Sequence, residues 1–202
     1  MKYAIVDPRK FQKDTNYYQG LEICQAFLDL NHVPHPEFTI GHLEEMDAGG
    51  AWGLYIPAEK KIITDVHQCV DAGSGNPDKD GWFFSCGRSD GTPMGVVAHE
   101  TGHHVHFSKD ISGMIKDLDG VTNKEPRVTP YEPNVYEAIA EMMRIFILNP
   151  ELLKEGRPKR WKYLTNAVGL KPLHNKPWKT ILKHAHPRII KATKIWIQAG
   201  RV

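Results

Sequence analysis

Residues 96–107 read VVAHETGHHVHF and hold four of the chain's eleven histidines. Within this stretch His99, Glu100, Thr101, Gly102 and His103 spell His-Glu-x-x-His. On a helix, positions i and i+4 share a face one turn apart, so both imidazoles can reach one metal ion. A catalytic zinc takes three protein ligands at about 2.0–2.2 Å and keeps a fourth position for water. It lowers the pKa of that water towards about 7. Glu100 is one residue further on, so it points about 100° around the axis and flanks the ion. A carboxylate there can accept the water's proton. His104 faces away from the ligand pair. His106 shares its face but lies two turns past His99, about 10 Å of rise, so one ion cannot take all three. The longer pattern with a third histidine also fails, because Lys109 stands where that histidine belongs. Otherwise a third histidine must come from His174, His184 or His186, which sit in no motif.

The element carrying the motif reads as a helix from about Pro93 to Phe107. Gly102 lies in its interior, where glycine costs about 1 kcal/mol relative to alanine. Another backbone is therefore expected to pass close by. A second helix is predicted from Asn134 to Leu148, with Val135, Ile139, Met142 and Phe146 on one face and Asn149-Pro150 as its stop. Its segment NVYEAIAEMM sets Glu137 and Glu141 at i and i+4, away from the Ile139/Met142 face. Glu137 can complete the site, or it can close a capping box with Asn134. Glu141 can support the site, or it can be a solvated helix charge. Both cannot bind one ion with both histidines, since four protein ligands leave no water position.

HETGH followed by EAIAE resembles the gluzincin class of zinc metallopeptidases. Among these it is similar to the short members with an E-x-x-A-E helix, such as the catalytic domain of anthrax toxin lethal factor. The resemblance covers roughly residues 50–150. It implies that His99, His103 and Glu137 hold Zn2+, that Glu141 orients a ligand histidine, and that Glu100 is the catalytic base. It also implies a peptide or protein substrate lying along a hairpin edge, for which GLYIPAEKKIITDV has the right place and pattern. The transition-state hydrogen-bond donor of that class has no clear counterpart, and Tyr131 and Tyr136 are the candidates. A zinc protein without proteolytic activity is the principal alternative, and a nucleic-acid-associated protein with a basic C-terminal tail is the second.

The remaining elements must position these residues. A helix is expected over 16–31, a strand over 35–43 and a hairpin over 51–66 around Pro-Ala-Glu-Lys. Residues 71–93 are rich in Gly, Asp and Pro and read as a long loop leading into the histidine helix. A linker through Pro130 precedes the second helix, and a final helix is expected over about 179–198. These elements describe an α+β fold. A small mixed sheet with an edge hairpin lies over the active-site helix, followed by the glutamate-bearing helix and a helical C-terminal tail. The division expected is a metallopeptidase domain at 1–150 and a basic helical tail at 151–202, packed on or appended to it.

Composition sets the outer limits. With 202 residues, 41% hydrophobic and 25% charged, the chain can bury a core without disulfides. The three cysteines, Cys24, Cys69 and Cys86, form no metal spacing and no complete disulfide framework. No run is apolar enough to cross a membrane, and the first residues lack a secretory pattern, so the expected address is cytoplasmic. Residues 1–149 carry 13 Lys and Arg against 22 Asp and Glu, a net −9, whereas 150–202 carry 13 against 2, a net +11. A basic tail can bind nucleic acid or pack on the acidic domain. Lysines interleaved with Trp161, Trp178 and Trp196 favour packing, because indoles are buried anchors.

Overall fold

The computed structural model describes residues 13–46, 50–69, 91–109, 125–129, 131, 134–173 and 187–200. The expected loop 71–93, except its last three residues, lies outside them, as do Cys86, Trp178, His174, His184 and His186.

The chain begins its described part with α1, Lys13–Leu30. Cys24, Phe27 and Leu28 recur at helical spacing and are fully buried. The helix stops where Asn31 Nδ2 donates to Phe27 O at 2.9 Å and His32 takes a left-handed φ of 52°. Strand β1 is shorter than expected, Glu37–Ile40; it starts late because Pro36 before it has no N–H to give a ladder. The expected hairpin is present as β2, Gly53–Ile56, and β3, Lys61–Thr64, paired antiparallel with Tyr55 opposite Ile62. Lys60 closes its turn with a φ of 50°. β3 also pairs with β1, in parallel, which gives the mixed order β1-β3-β2. Among the described residues β2 is therefore an edge strand.

Helix α2, Pro93–Ser108, is the centre of the molecule and touches α1, the sheet and the second glutamate-bearing helix. Its start is over-determined. Thr92 accepts from Gly95 N at 3.2 Å, Pro93 occupies the first turn, and Asn16 of α1 accepts from Met94 N at 2.7 Å. Helix α3, Val135–Leu148, lies across α2 at Gly102. A Cβ on Gly102 would stand 2.8 Å from Met143 Cβ and 3.1 Å from Ala140 Cα. The close backbone expected from the sequence is that of α3.

Short helices α4, Pro150–Gly156, and α5, Pro158–Lys162, follow directly, then a π-helical turn at Tyr163–Ala167, and finally α6, Pro187–Ala199. Leu152, Leu153, Leu164, Leu170 and Trp196 join the same buried cluster as Phe27, Val97 and Phe146. The fold is α+β, with six helices and a three-stranded mixed sheet among the described residues. No described helix is long and apolar enough to cross a membrane.

Candidate metal centre

The crossing of α2 and α3 brings together residues 38 positions apart. His99, His103 and Glu137 converge so that one ligand atom from each lies within 4.8 Å of the others. Donors around one tetrahedral zinc at about 2.05 Å stand roughly 3.3 Å apart. Here His99 Nε2 lies 3.0 Å from Glu137 Oε2, and His103 Nε2 lies 3.6 Å from Glu137 Oε1. Each histidine thus faces one oxygen of the same carboxylate, and two imidazoles with a carboxylate are a donor set that transition-metal ions such as zinc accept. These three residues can hold a metal ion.

The local sequence explains how Glu137 gets there. Asn134 caps α3 by accepting from Glu137 N at 3.0 Å. That is half a capping box. The Glu137 carboxylate does not return to Asn134 but turns to the histidines. Contacts with His103 and then His99 hold its carboxyl down at about 2.

One turn on, Glu141 has no exposure at all, so it is not a solvated helix charge. Oε1 accepts from His99 Nδ1 at 2.8 Å and from Arg144 Nε at 2.9 Å. Oε2 accepts from Arg144 Nη2 and from Thr129 Oγ1, both at 2.6 Å. A carboxylate has about four acceptor positions, and all four are in use. Burial alone would raise the Glu141 carboxyl, but the Arg144 charge and His99 overcome it and hold it well below the usual carboxylate range. Glu141 is thus committed to the far nitrogen of His99, the position from which outer carboxylates orient metal-binding histidines. Burial would lower the His99 imidazole, yet Glu137 on one side and Glu141 on the other raise it to about 10.

Glu100 is 7% exposed and lies against the edge strand. It accepts from the backbone N–H of Tyr55. A Cβ on Gly53 would come within 2.8 Å of Glu100 Oε1 and 2.5 Å of Val96 Cγ1, so glycine there is what lets α2 approach β2. Burial raises the Glu100 carboxyl above its ordinary value. Glu100 and His99 line a cavity of about 270 Å³ with Trp52, Gly53, Val96 and Tyr131. The Tyr131 ring stands 5.9 Å from that of His99. Burial and the nearby carboxylates of Glu137, Glu100 and Glu141 raise its hydroxyl above the usual phenol range. Tyr136, the other candidate donor, instead stacks on Phe107 and His106, away from this cavity.

The two remaining histidines of the motif stay out of the site. His104 is buried, donating from Nε2 to Pro34 O at 2.7 Å with Nδ1 3.1 Å from the Tyr55 hydroxyl. His106 is buried beside Phe107 and Tyr136. Burial lowers both imidazoles.

Reasoning from sequence missed Arg144 and Thr129. The signal for Arg144 was a Glu and an Arg three residues apart inside the apolar run AIAEMMRIFIL, where a buried charge demands a partner. Nothing in the sequence pointed to Thr129, which lay in the expected linker.

Compared with models of known families, with curated proteins and with solved structures, the chain matches none.

Proposed function

We propose that this chain is a zinc-dependent metallopeptidase of gluzincin type, with the ion held by His99, His103 and Glu137. The observation that carries the reading is Glu100. It is a buried carboxylate with a raised pKa, set beside a three-residue ligand group at the wall of a cavity. A purely structural metal needs no such neighbour, because structural sites close their fourth position with a ligand.

A bound zinc supplies Lewis acidity to a carbonyl and acidifies water. The chain's residues do the rest. Glu100 takes the proton of the attacking water on its carboxylate and passes it to the leaving amine. Its place favours this, since Glu100 is buried beside the ligand group at the wall of the cavity, where a carboxylate can reach the attacking water. Glu141 holds the His99 ring from behind through Nδ1, which directs Nε2 at Glu137 and the ion. Tyr131, beside His99 at the cavity wall, donates to the oxygen that gains charge. The substrate is an extended peptide on the open side of β2, whose first residue, Gly53, lines the cavity together with the preceding Trp52.

Metal analysis and a peptide-library digest of the full chain test this. The expected result is about one zinc per chain and cleavage that chelation abolishes and zinc restores. Zinc without cleavage would leave a non-proteolytic zinc protein. Absence of zinc would overturn the reading altogether.

A further inference from the structure

Residues 125–129 end what the sequence presents as a linker, but each of four of them is tied down. Glu125 accepts from Lys159 N at 2.7 Å and from Arg160 N at 3.0 Å, both in α5. Arg127 O accepts from Arg157 Nε at 3.1 Å and Nη2 at 2.8 Å. Val128 O accepts from Trp196 Nε1 in α6 at 2.8 Å. Thr129 Oγ1 then donates to Glu141 Oε2. Arg157 is the knot of this clamp. Its Nη1 also reaches Gly156 O and Trp196 O, and its guanidinium lies 4.1 Å above the Trp196 ring. One planar fork, buried at 2% exposure, thereby joins three separate segments.

We infer that the C-terminal elements are part of the metal-site machinery: α5 and α6 clamp residues 125–128 so that Thr129 fixes the Glu141 carboxylate behind His99. The inference rests on the reading of His99 as a ligand. Thr129 and Trp196 are positioning residues, acting through Glu141. The physical reason is a division of labour around one carboxylate. Arg144 grips both oxygens of Glu141 but comes from the same helix, three residues on, so it cannot fix the carboxylate relative to anything beyond α3. Besides His99 itself, Thr129 contacts the carboxylate from outside α3, and its segment is held by the tail. Two binding partners on different elements leave the carboxylate a single orientation towards Nδ1. One basic residue of the tail finds a use in the same arrangement, since Arg157 spends its donors on backbone carbonyls of the clamp.

The test compares full-length Thr129→Val, Thr129→Ser, Trp196→Phe and the Thr129→Val/Trp196→Phe double variant. Two quantities are read. One is zinc affinity by chelator competition. The other is the solvent exchange of the His99 Nδ1 proton, followed by NMR in protein stripped of metal. Thr129→Val is expected to weaken zinc binding about 10- to 100-fold, the usual cost of losing an outer partner, and to speed the exchange. Thr129→Ser keeps the hydroxyl and should restore most of both. Trp196→Phe removes the indole donor to Val128 and part of the ring on which Arg157 lies, and should weaken zinc about fivefold, the size of one neutral hydrogen bond. In the Thr129→Val background its effect should vanish, because it acts through that residue. Wild-type affinity and exchange in Thr129→Val would overturn the inference, as would effects of Thr129→Val and Trp196→Phe that simply multiply. Trp196→Phe leaves the buried carboxylate untouched, so it decides the matter if Thr129→Val does not fold. A wild-type chain that takes up no zinc would instead remove the function proposed above, while the exchange measurement would still judge the clamp.

Discussion

Glu137 and Glu141 are the same residue type, one turn apart on α3, and they touch the same imidazole. Glu137 sits near the start of the helix, with its side chain 20% exposed, and its carboxylate faces two histidine nitrogens. Glu141 sits in the fully buried middle, with every acceptor position filled by His99, Arg144 and Thr129. The difference teaches that the role of a carboxylate is set by what else it must satisfy. An acceptor with spare capacity near solvent can exchange a proton partner for a metal. One locked in a buried network can only hold its neighbour still, since breaking such a network exposes a charge to a dry interior.

The comparison extends to Glu100, which is buried but is neither in the ligand group nor behind a ligand. Glu100→Gln should lower peptide hydrolysis about 10²- to 10⁴-fold while zinc content stays near wild type. Turnover close to wild type, measured with a cleaved library peptide, would sink its assignment as the base.

The contrast within α3 can be broken directly. Glu137→Ala should lose zinc to a mild chelator, an effect well beyond about 100-fold in affinity, because a ligand is gone. Glu141→Ala should weaken zinc about 10- to 100-fold and still reconstitute with excess metal. Metal retained by the first variant and lost by the second would exchange the two roles.

Acidity sharpens the same point. Glu137 and Glu141 raise His99 to about 10 from an ordinary 6.5, and the histidines lower Glu137 to about 2 from an ordinary 4.5. In protein stripped of metal, the raised His99 contributes stability that is complete below about 6.5 and lost as pH rises through about 10. The lowered Glu137 contributes stability present above about 4.5 and lost as pH falls through about 2. The stripped chain should therefore be most stable between about pH 4.5 and 6.5. A metal must displace the proton on His99 Nε2, so zinc should bind more weakly as pH falls. The gap in melting temperature between loaded and stripped protein should widen from pH 6 to pH 8. A gap that narrows would contradict His99 as a ligand.

Smaller effects test the scaffold. Gly102→Ala places a methyl group against Met143 and Ala140 and should cost about 1–3 kcal/mol by overpacking, read from denaturant unfolding. His106→Ala should leave zinc stoichiometry unchanged, since the ring packs beside Phe107 and Tyr136 rather than in the ligand group.

Much of this architecture was legible along the chain because its signals are local. Pro93 and Asn134 mark helix starts, and Pro-Ala-Glu-Lys between two apolar runs is a hairpin. His-Glu-x-x-His on a helix fixes the relative placement of His99, Glu100 and His103 by helical geometry alone. Gly102 announced a close backbone, although not whose. The parallel pairing of β1 with β3 had no local signature, since strands can pair either way once brought side by side. The burial of Glu141 was hidden for a related reason. A helix pattern with one apolar face reads as half-solvated, and only partners from elsewhere, His99 and Thr129, make a second buried face tolerable.

By itself, then, the sequence determined α1, α2, α3 and α6, the hairpin and the pair of histidines one turn apart, but not α4 or α5, because each of the former carries its signal in residues within a few positions of one another. The tertiary structure alone decided that α3 crosses α2 at Gly102, that Glu137 reaches the histidines while Glu141 backs His99, and that residues 125–129 are clamped by the tail. Those choices are long-range. They follow from which buried donors and acceptors can be satisfied simultaneously, and that is settled only when the whole core closes.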